Sequence, residues 1–372
     1  MTAAESAQRF AAHVAASRTA LARAERLDAA CADFAAHRFG EAEAALDALV
    51  AAEPADLDAR FMLAYVRLTR GDFARGWELF ELMRARPGVQ AAYGVLDAAE
   101  RWDGRPFAGR RLLIAREAGF GDLLQIARFF PLVKARGGTV ILECAPELAT
   151  LAATFAGVDE VQVSDGITLA ATSFDLVLPL MSLPGSLGIG ADGIGMAAPY
   201  IGVGPERVAQ VAQTLRLGSD QLNVGLVWAG NAALANDAAR SAPLAALAPL
   251  FTVPGIRWFG LQTGPRALEA GPSFERLGPQ LEDFAATAAV MSALDLVITT
   301  CTASAHLAGA LGRPAWVLLN HLPEWRWQND PQASPWYPSV RLFRQPAPGA
   351  WDAVADAVAR ALAERLDAVR GA

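Results

Sequence analysis

Three small hydroxyl residues crowd one turn at the end of an apolar run. Leu294 to Gly312 reads LDLVITTCTASAHLAGALG. The run through Ile298 predicts a buried strand, and a helix should start near Ala303. Unpaired N–H groups at a helix start attract anions. With Thr300, Thr302 and Ser304 around them, and small Ala303 permitting close approach, they suit a diphosphate. Capping of the helix by Thr302 would account for one hydroxyl, not three. His306 lies one turn further on. It is either a core histidine holding a backbone carbonyl or a donor to a phosphate or sugar. A second candidate is Gly119-Phe120-Gly121-Asp122. Its glycines allow a tight strand-to-helix turn, and Asp122 falls at the helix start, where a carboxylate is favoured. Asp122 is either a plain cap or a general base, able to take the proton of a hydroxyl if it faces a cleft. Gly119, Gly121 and Gln125 then belong to that cleft's wall.

Aromatic residues form a third cluster. Pro323 to Trp327 reads PEWRW, and Ser334 to Pro338 reads SPWYP. Trp325 and Trp327 either stack a base or sugar as part of a cleft wall, or pack at a hinge or on the N-terminal helices. His13, His37 and His321 have no acidic or Cys partners at metal-ligand spacing, so no metal site is expected. There is no Walker loop and no GxSxG elbow. No tightly held cofactor is implied.

The elements that must position these groups alternate. Apolar runs at Arg111–Ala115, Thr139–Glu143, Glu160–Val163 and Phe174–Leu178 are separated by helical periods. A second series lies at Asn223–Trp228, Trp258–Gln262, Leu294–Ile298 and Pro314–Leu319, ending in an amphipathic stretch from Trp351 to Val369. Strands alternating with helices predict parallel sheets, here in two halves, with ligands outside the carboxyl ends of the strands. The first hundred residues carry little β signal. Phe34–Asp56 and Phe61–Arg86 read as two copies of a helix, a tight turn and a helix, and Phe39 and Phe73 are 34 residues apart. That is the tetratricopeptide period. Two repeats are too few to stand alone, so this segment should dock on the α/β remainder of the chain. The expected domains are helical repeats at 1–99, one Rossmann-like half at 100–205, a second at 206–348, and a C-terminal helix at 349–372.

The 372 residues are 53% apolar, enough for several cores, and the net charge of −7 comes without a basic run. This argues against nucleic-acid binding. Cys31, Cys144 and Cys301 are far apart and unpaired in pattern, as expected of reduced thiols in a cytoplasmic protein. Met1 to Arg18 lacks the apolar core of a signal peptide, and no run is long enough to predict a transmembrane segment.

Taken together, these motifs resemble bacterial tetratricopeptide-repeat glycosyltransferases. That group is related to the ADP-heptosyltransferases and, in domain layout, to the protein O-GlcNAc transferases. The resemblance runs through GRRLLIAREAGFGDLLQIARFFPLV, FDLVLPLMSLPGSLG, VGLVWAGN, RSAPL, LDLVITTCTASAHLAGALGRPAWVLL, EWRW and SPWYPSVRLFRQ. It implies an α/β chain of GT-B fold, two Rossmann-like halves preceded by an all-α tetratricopeptide-like domain. It also implies a nucleotide-diphosphate sugar as co-substrate and no metal. Asp122 matches the catalytic base. Thr302, Ala303 and His306 match the turn and helix that hold the donor diphosphate, with Thr300, Ser304 and Arg240 beside them and Gln262 at a strand end near the nucleotide. The repeats would present a protein acceptor or partner.

The sequence departs from the family pattern at three positions. Cys301 stands where an Asp usually precedes the Thr of the turn. Leu234 and Ala235 stand where His and Lys usually precede Asn-Asp. A non-catalytic scaffold of the same fold is therefore the second expectation. Another sugar-nucleotide enzyme, of the epimerase kind, is the third.

Overall fold

A computed structural model describes residues 20–82, 99–164, 173–195, 198–234, 236–271, 273–322 and 324–370. Part of the second predicted repeat, beyond Leu82, lies outside them, as does Ala235. The chain forms two compact units. One is Met1–Gly94 with Pro323–Asn329, and the other is Val95–Leu322 with Asp330–Ala372.

The first unit is helical. Helix α1 (20–35) is followed by α2 (Phe39–Ala52), α3 (Leu57–Thr69) and α4 (Phe73–Leu82). Phe39 and Phe73 thus each open the second helix of a hairpin. The turns need left-handed backbone, supplied by His37 (φ 61°) and Gly71 (φ 84°). Phe34, Leu46, Leu49, Leu63 and Val66 form the core between α1, α2 and α3. Phe34 meets Phe39 and Tyr65 edge-on, each at 5.6 Å. Asp56 caps α3 by accepting the N–H groups of Asp58 and Ala59, and it also receives the Arg23 guanidinium. The Arg23 hydrogen bond is the main reason the Asp56 carboxyl titrates below the usual carboxylate range. Gly76 lets α4 lie close on α3, since a Cβ there would be 2.6 Å from Leu68 Cδ2.

The second unit holds two parallel sheets, so it is mixed α/β. In the first, β1 (Arg111–Ala115), β2 (Thr139–Cys144), β3 (Glu160–Val163) and β4 (Leu176–Pro179) run in the order β3-β2-β1-β4. In the second are β5 (Leu222–Val227), β6 (Ile256–Gly260), β7 (Phe274–Arg276), β8 (Leu296–Thr300), β9 (Ala315–Leu319) and β10 (Val340–Arg344). Their order is β10-β9-β8-β5-β6-β7. Counted within each sheet, the strand order runs 3-2-1-4, extended to 5 and 6 in the second sheet, which is the dinucleotide-fold order. Strands β1, β2, β4, β5, β8 and β9 are buried nearly end to end, as parallel strands covered on both faces must be.

Helix α5 (Phe120–Ile126) follows β1, α6 (Pro146–Ala152) follows β2, and α7 (Pro205–Thr214) leads into β5. Helix α8 (Phe284–Ala293) precedes β8, α9 (Ala303–Ala310) follows it, and α10 (Trp351–Arg370) ends the described chain. Trp351, Val354, Ala355, Val358, Leu362 and Leu366 line one face of α10 at helical spacing. They share a core with Leu226, Leu296, Ile298 and Leu318 of the second sheet. Among the described residues no helix is long and apolar enough to cross a membrane.

Candidate functional site

In a sheet of this order the chain reverses direction between the first and fourth strands, and ligands bind beyond their carboxyl ends. For the first sheet these strands are β1 and β4. For the second they are β5 and β8, paired so that Val227 lies opposite Thr299. Four residues separate β1 from α5, and two separate β8 from α9. The two helices pack against each other at their first turns. A Cβ on Gly121 would fall 2.8 Å from His306 Cδ2 and 3.4 Å from Ala303 Cα. The two sharpest sequence motifs therefore meet at one point.

The glycines act differently from expectation. Neither Gly119 nor Gly121 has positive φ, and it is Ala118 that adopts left-handed backbone, at φ 62°. Gly121 is small because α9 leaves no room, and Gly119 serves as the N-cap of α5. The Asp122 carboxylate accepts the Gly119 N–H at 2.7 Å, which closes a capping box on α5 and fixes the side chain. Asp122 itself is half-buried at the head of the helix.

At the head of α9, Thr302 occupies the N-cap position, but its side chain makes no capping bond. Its hydroxyl lies 3.2 Å from that of Thr299 instead. Ala303 and Ser304 follow, half-buried, in the first turn. Thr300 does not join them at the surface. Its hydroxyl is fully enclosed, without a hydrogen-bond partner, because the residue is the last of the central strand β8. Cys301 is half-buried in the same turn.

The loop after β5 adds charge. Gly230 is wedged so closely that a Cβ there would meet Arg240 Nη2 at 2.6 Å and Asp237 Oδ1 at 2.7 Å. Buried Asp237 receives the Ser241 hydroxyl at 2.9 Å and Arg266 Nη2 at 3.0 Å, and lies 3.6 Å from Arg240 Nε. The Ser241 oxygen in turn accepts the Gly230 N–H at 3.0 Å. Asp237 and Arg266 were not singled out in the sequence. An open hollow of about 790 Å³ adjoins this loop, lined by Ser241, Pro243, Leu244, Arg266 and Glu269 among others.

Three expected ligand-facing residues turn inward. The Gln262 amide oxygen accepts the N–H groups of Trp228 and Ala229 at 3.2 and 2.9 Å, and its amide nitrogen donates to Ala229 O at 3.1 Å. Gln262 thus shapes the end of β5. Gln125 is fully enclosed and both its amide atoms lack partners, so it faces the interior from α5, not a cleft wall. His306 is 4% exposed, with Nδ1 2.9 Å from the Tyr337 hydroxyl. Of the two readings of Trp325 and Trp327, the cleft wall is corrected and packing on the N-terminal helices holds, because they belong to the helical unit. Trp325 stands edge-on to Trp77 of α4 at 5.3 Å, with the Arg326 guanidinium 4.2 Å from its ring, and Trp327 is buried.

Behind His306 lies a cluster that sequence reasoning missed. Arg128 is 1% exposed. It donates to the carbonyls of Gln125, Ile194 and Trp336 and to the Tyr200 hydroxyl. Its signal was an arginine inside the apolar stretch Ile126–Phe130. Among the described residues no group of three His, Cys, Asp or Glu could hold a metal ion.

No family model matches the chain. The chain is 30% identical over 360 residues to protein FlbA of Caulobacter vibrioides, a match covering 88% of this chain and 60% of that protein. It thus spans about three fifths of that relative's length. Among solved structures it is similar to the Escherichia coli ADP-heptose lipopolysaccharide heptosyltransferase II, with 14% identity and a TM-score of 0.49. That match covers 70% of this chain and 98% of the other. It is also similar to a glycosyl transferase of family 9 from Veillonella parvula, with 14% identity, a TM-score of 0.46, and 64% and 87% covered. A Thermobaculum terrenum O-GlcNAc transferase aligns at 14% identity with a TM-score of 0.31, over 89% of this chain and 81% of that one.

Proposed function

We propose that the chain is a glycosyltransferase of GT-B type, moving a sugar from a nucleotide-diphosphate donor to an acceptor hydroxyl. The observation that carries this reading is the junction of α5 and α9, where Gly121 abuts Ala303 and His306. There the carboxyl ends of both sheets present their first helical turns together. The head of α9, with no Thr302 side-chain cap, suits the donor diphosphate, whose charge the helix dipole and Arg240 would stabilise. The hollow of about 790 Å³ beside Ser241 and Arg266 is of a size for a nucleoside.

Asp122 takes the acceptor's proton as the hydroxyl oxygen bonds to the anomeric carbon. The bond from that carbon to the diphosphate breaks on the opposite face, with inversion. In this scheme the leaving charge is met by helix and guanidinium, without a metal. The half at 100–205 binds the acceptor and the half at 206–348 the nucleotide sugar. The helical repeats offer a protein acceptor its docking surface, and the reaction is cytoplasmic.

A second reading, a non-catalytic scaffold, is favoured by Cys301 in the diphosphate turn and by exposed Leu234 where a basic contact is expected. Calorimetry with UDP-, GDP-, ADP-, TDP- and CMP-sugars separates the two. Binding that persists in Asp122→Ala while product formation stops supports transfer. Absence of binding by every donor leaves only the scaffold.

A further inference from the structure

A guanidinium taken out of water needs acceptors for its N–H groups, and Arg240 is short of them. Its side chain is 19% exposed and pairs with Asp237 at 3.6 Å. Among the described residues that side chain makes no hydrogen bond, and its Nε is enclosed without a partner. Buried polar groups are normally satisfied, so an unsatisfied guanidinium points to an anion that arrives from outside. The group lies over the backbone just past β5, because a Cβ on Gly230 would meet Nη2 at 2.6 Å and Nε at 2.9 Å. Val227 of β5 is paired with Thr299 of β8. Gly230 and Thr302 are each three residues past that rung, so Arg240 and the head of α9 stand at the carboxyl ends of neighbouring strands.

Arg266 reaches the same carboxylate through its other oxygen. Its Nη2 donates to Asp237 Oδ2 at 3.0 Å, while Oδ1 receives the Ser241 hydroxyl at 2.9 Å. The remaining Arg266 nitrogens make no hydrogen bond among the described residues, and the side chain lines the hollow of about 790 Å³. Asp237 is 3% exposed. One buried carboxylate thus faces two guanidiniums, and the excess charge of the three is positive. Glu269 also lines the hollow, and its Oε2 is engaged by the Trp228 Nε1–H at 3.0 Å.

We propose that Arg240 and Arg266 form a phosphate-binding pair, and that Asp237 is a positioning residue that holds the two guanidiniums in place. The ligand is the diphosphate of a nucleotide, gripped between this pair and the head of α9. A planar guanidinium offers paired N–H groups that match the spacing of two phosphate oxygens. Asp237 does not touch the ligand and acts through the two arginines. The nucleotide part of this inference rests on the proposed donor site, whereas the anion pair belongs to the loops after β5 and β6 alone.

The test titrates the full chain with inorganic pyrophosphate in calorimetry at low salt. Wild type should bind. Arg240→Gln and Arg266→Gln should each weaken binding about 10-fold or more, the scale of a lost charge-assisted hydrogen bond. Arg257→Gln removes the same charge near the amino end of β6, where Arg257 pairs with Glu275, and should change nothing. Asp237→Asn decides by sign. It takes a negative charge away from the anion, so charge alone would tighten binding, whereas loss of positioning weakens it about 3-fold or more. Combined with Arg266→Gln, that effect should fall well short of additive, which separates action through the arginines from a loosened loop. No binding by wild type, an equal loss in Arg257→Gln, tighter binding by Asp237→Asn or full additivity overturns the proposal. If Asp237→Asn does not fold, Arg266→Gln still decides, since unchanged affinity there sinks the pair. Donor sugars that bind while pyrophosphate ignores both arginines would remove the pair and leave transfer standing. Pyrophosphate binding that follows the arginines, with no donor bound, would keep the pair and leave the scaffold.

Discussion

Replacing Gly121 with alanine sets a backbone preference against a packing limit. In an open helix the change is favourable by about 1 kcal/mol. Here the new methyl would sit 2.8 Å from His306 Cδ2 and 3.4 Å from Ala303 Cα. Ordinary carbon contacts are about 3.5–4.0 Å, so the first is too close by more than half an ångström. The ring cannot turn away without losing its bond to Tyr337, a loss of about 1 kcal/mol, and a backbone atom blocks the other direction. Overpacking of this kind costs roughly 1–3 kcal/mol, which outweighs the helix gain. Gly121→Ala should therefore destabilise the α/β unit by about 1 kcal/mol net and separate α5 from α9. The assay is denaturant unfolding of four proteins: wild type, Gly121→Ala, His306→Ala and the double variant. Removing the ring should relieve the clash, so Gly121→Ala should be nearly neutral or favourable in the His306→Ala background. A Gly121→Ala protein more stable than wild type would refute the reasoning. So would single effects that add to within about 0.5 kcal/mol in the double variant.

The Gln262 amide makes a similar quantitative claim. Gln262→Leu should orphan the buried N–H groups of Trp228 and Ala229 and cost about 2–4 kcal/mol in unfolding experiments. A loss under about 1 kcal/mol would mean the loop satisfies itself. Asp56 titrates below its ordinary value in the folded protein, chiefly through Arg23. Its stabilisation is therefore complete above the unfolded carboxylate pKa of about 4 and lost as pH falls through the lower folded value. Circular dichroism should find the helices of the first unit melting as acid is added, with a flatter profile in Asp56→Asn, which keeps the cap. Identical profiles would remove Asp56 from the account. Arg128→Lys keeps the charge but cannot reach three carbonyls and a phenol in one plane. It should destabilise by about 2 kcal/mol or more in denaturant unfolding, and a loss under about 1 kcal/mol would show that the carbonyls find other donors.

The interior strands were readable because a strand buried on both faces leaves an unbroken apolar run. Leu222–Val227 and Ala315–Leu319 fall within a residue or two of the expected runs. The two edge strands of the second sheet were not. Phe274–Arg276 has two exposed charged residues out of three, and Val340–Arg344 carries an arginine at its second and last positions. Edges face water and lose the pattern. At the site, sequence identified the two turns but misjudged individual side chains. A glycine needed for space and a glycine needed for a turn look alike in a string of letters, and only the approach of α9 distinguishes them. Thr300 and Gln262 are polar residues at strand ends and Gln125 lies within α5, and whether such a group faces in or out depends on layers set far away in the chain. Packing of Trp325 and Trp327 on the N-terminal helices was one of two readings, but nothing local says that the partner is Trp77.

That tryptophan segment has a consequence for how the protein can be taken apart. The helical unit is not a cassette at one end of the chain, because Pro323–Asn329 belongs to it although more than two hundred residues intervene. The backbone passes between the units at three places, after Gly94, after Leu322 and after Asn329. Severing the first passage leaves the helices still threaded by a loop returning from between β9 and β10. A shortened chain that starts at 99 would keep Trp325 but lose Trp77, leaving a large apolar ring without the indole it rests on. Deleting the repeats is then a change to both parts of the molecule. A fragment that aggregates would report the stranded tryptophan, and pairing that truncation with Trp325→Ser is the way to ask what the remaining chain does alone.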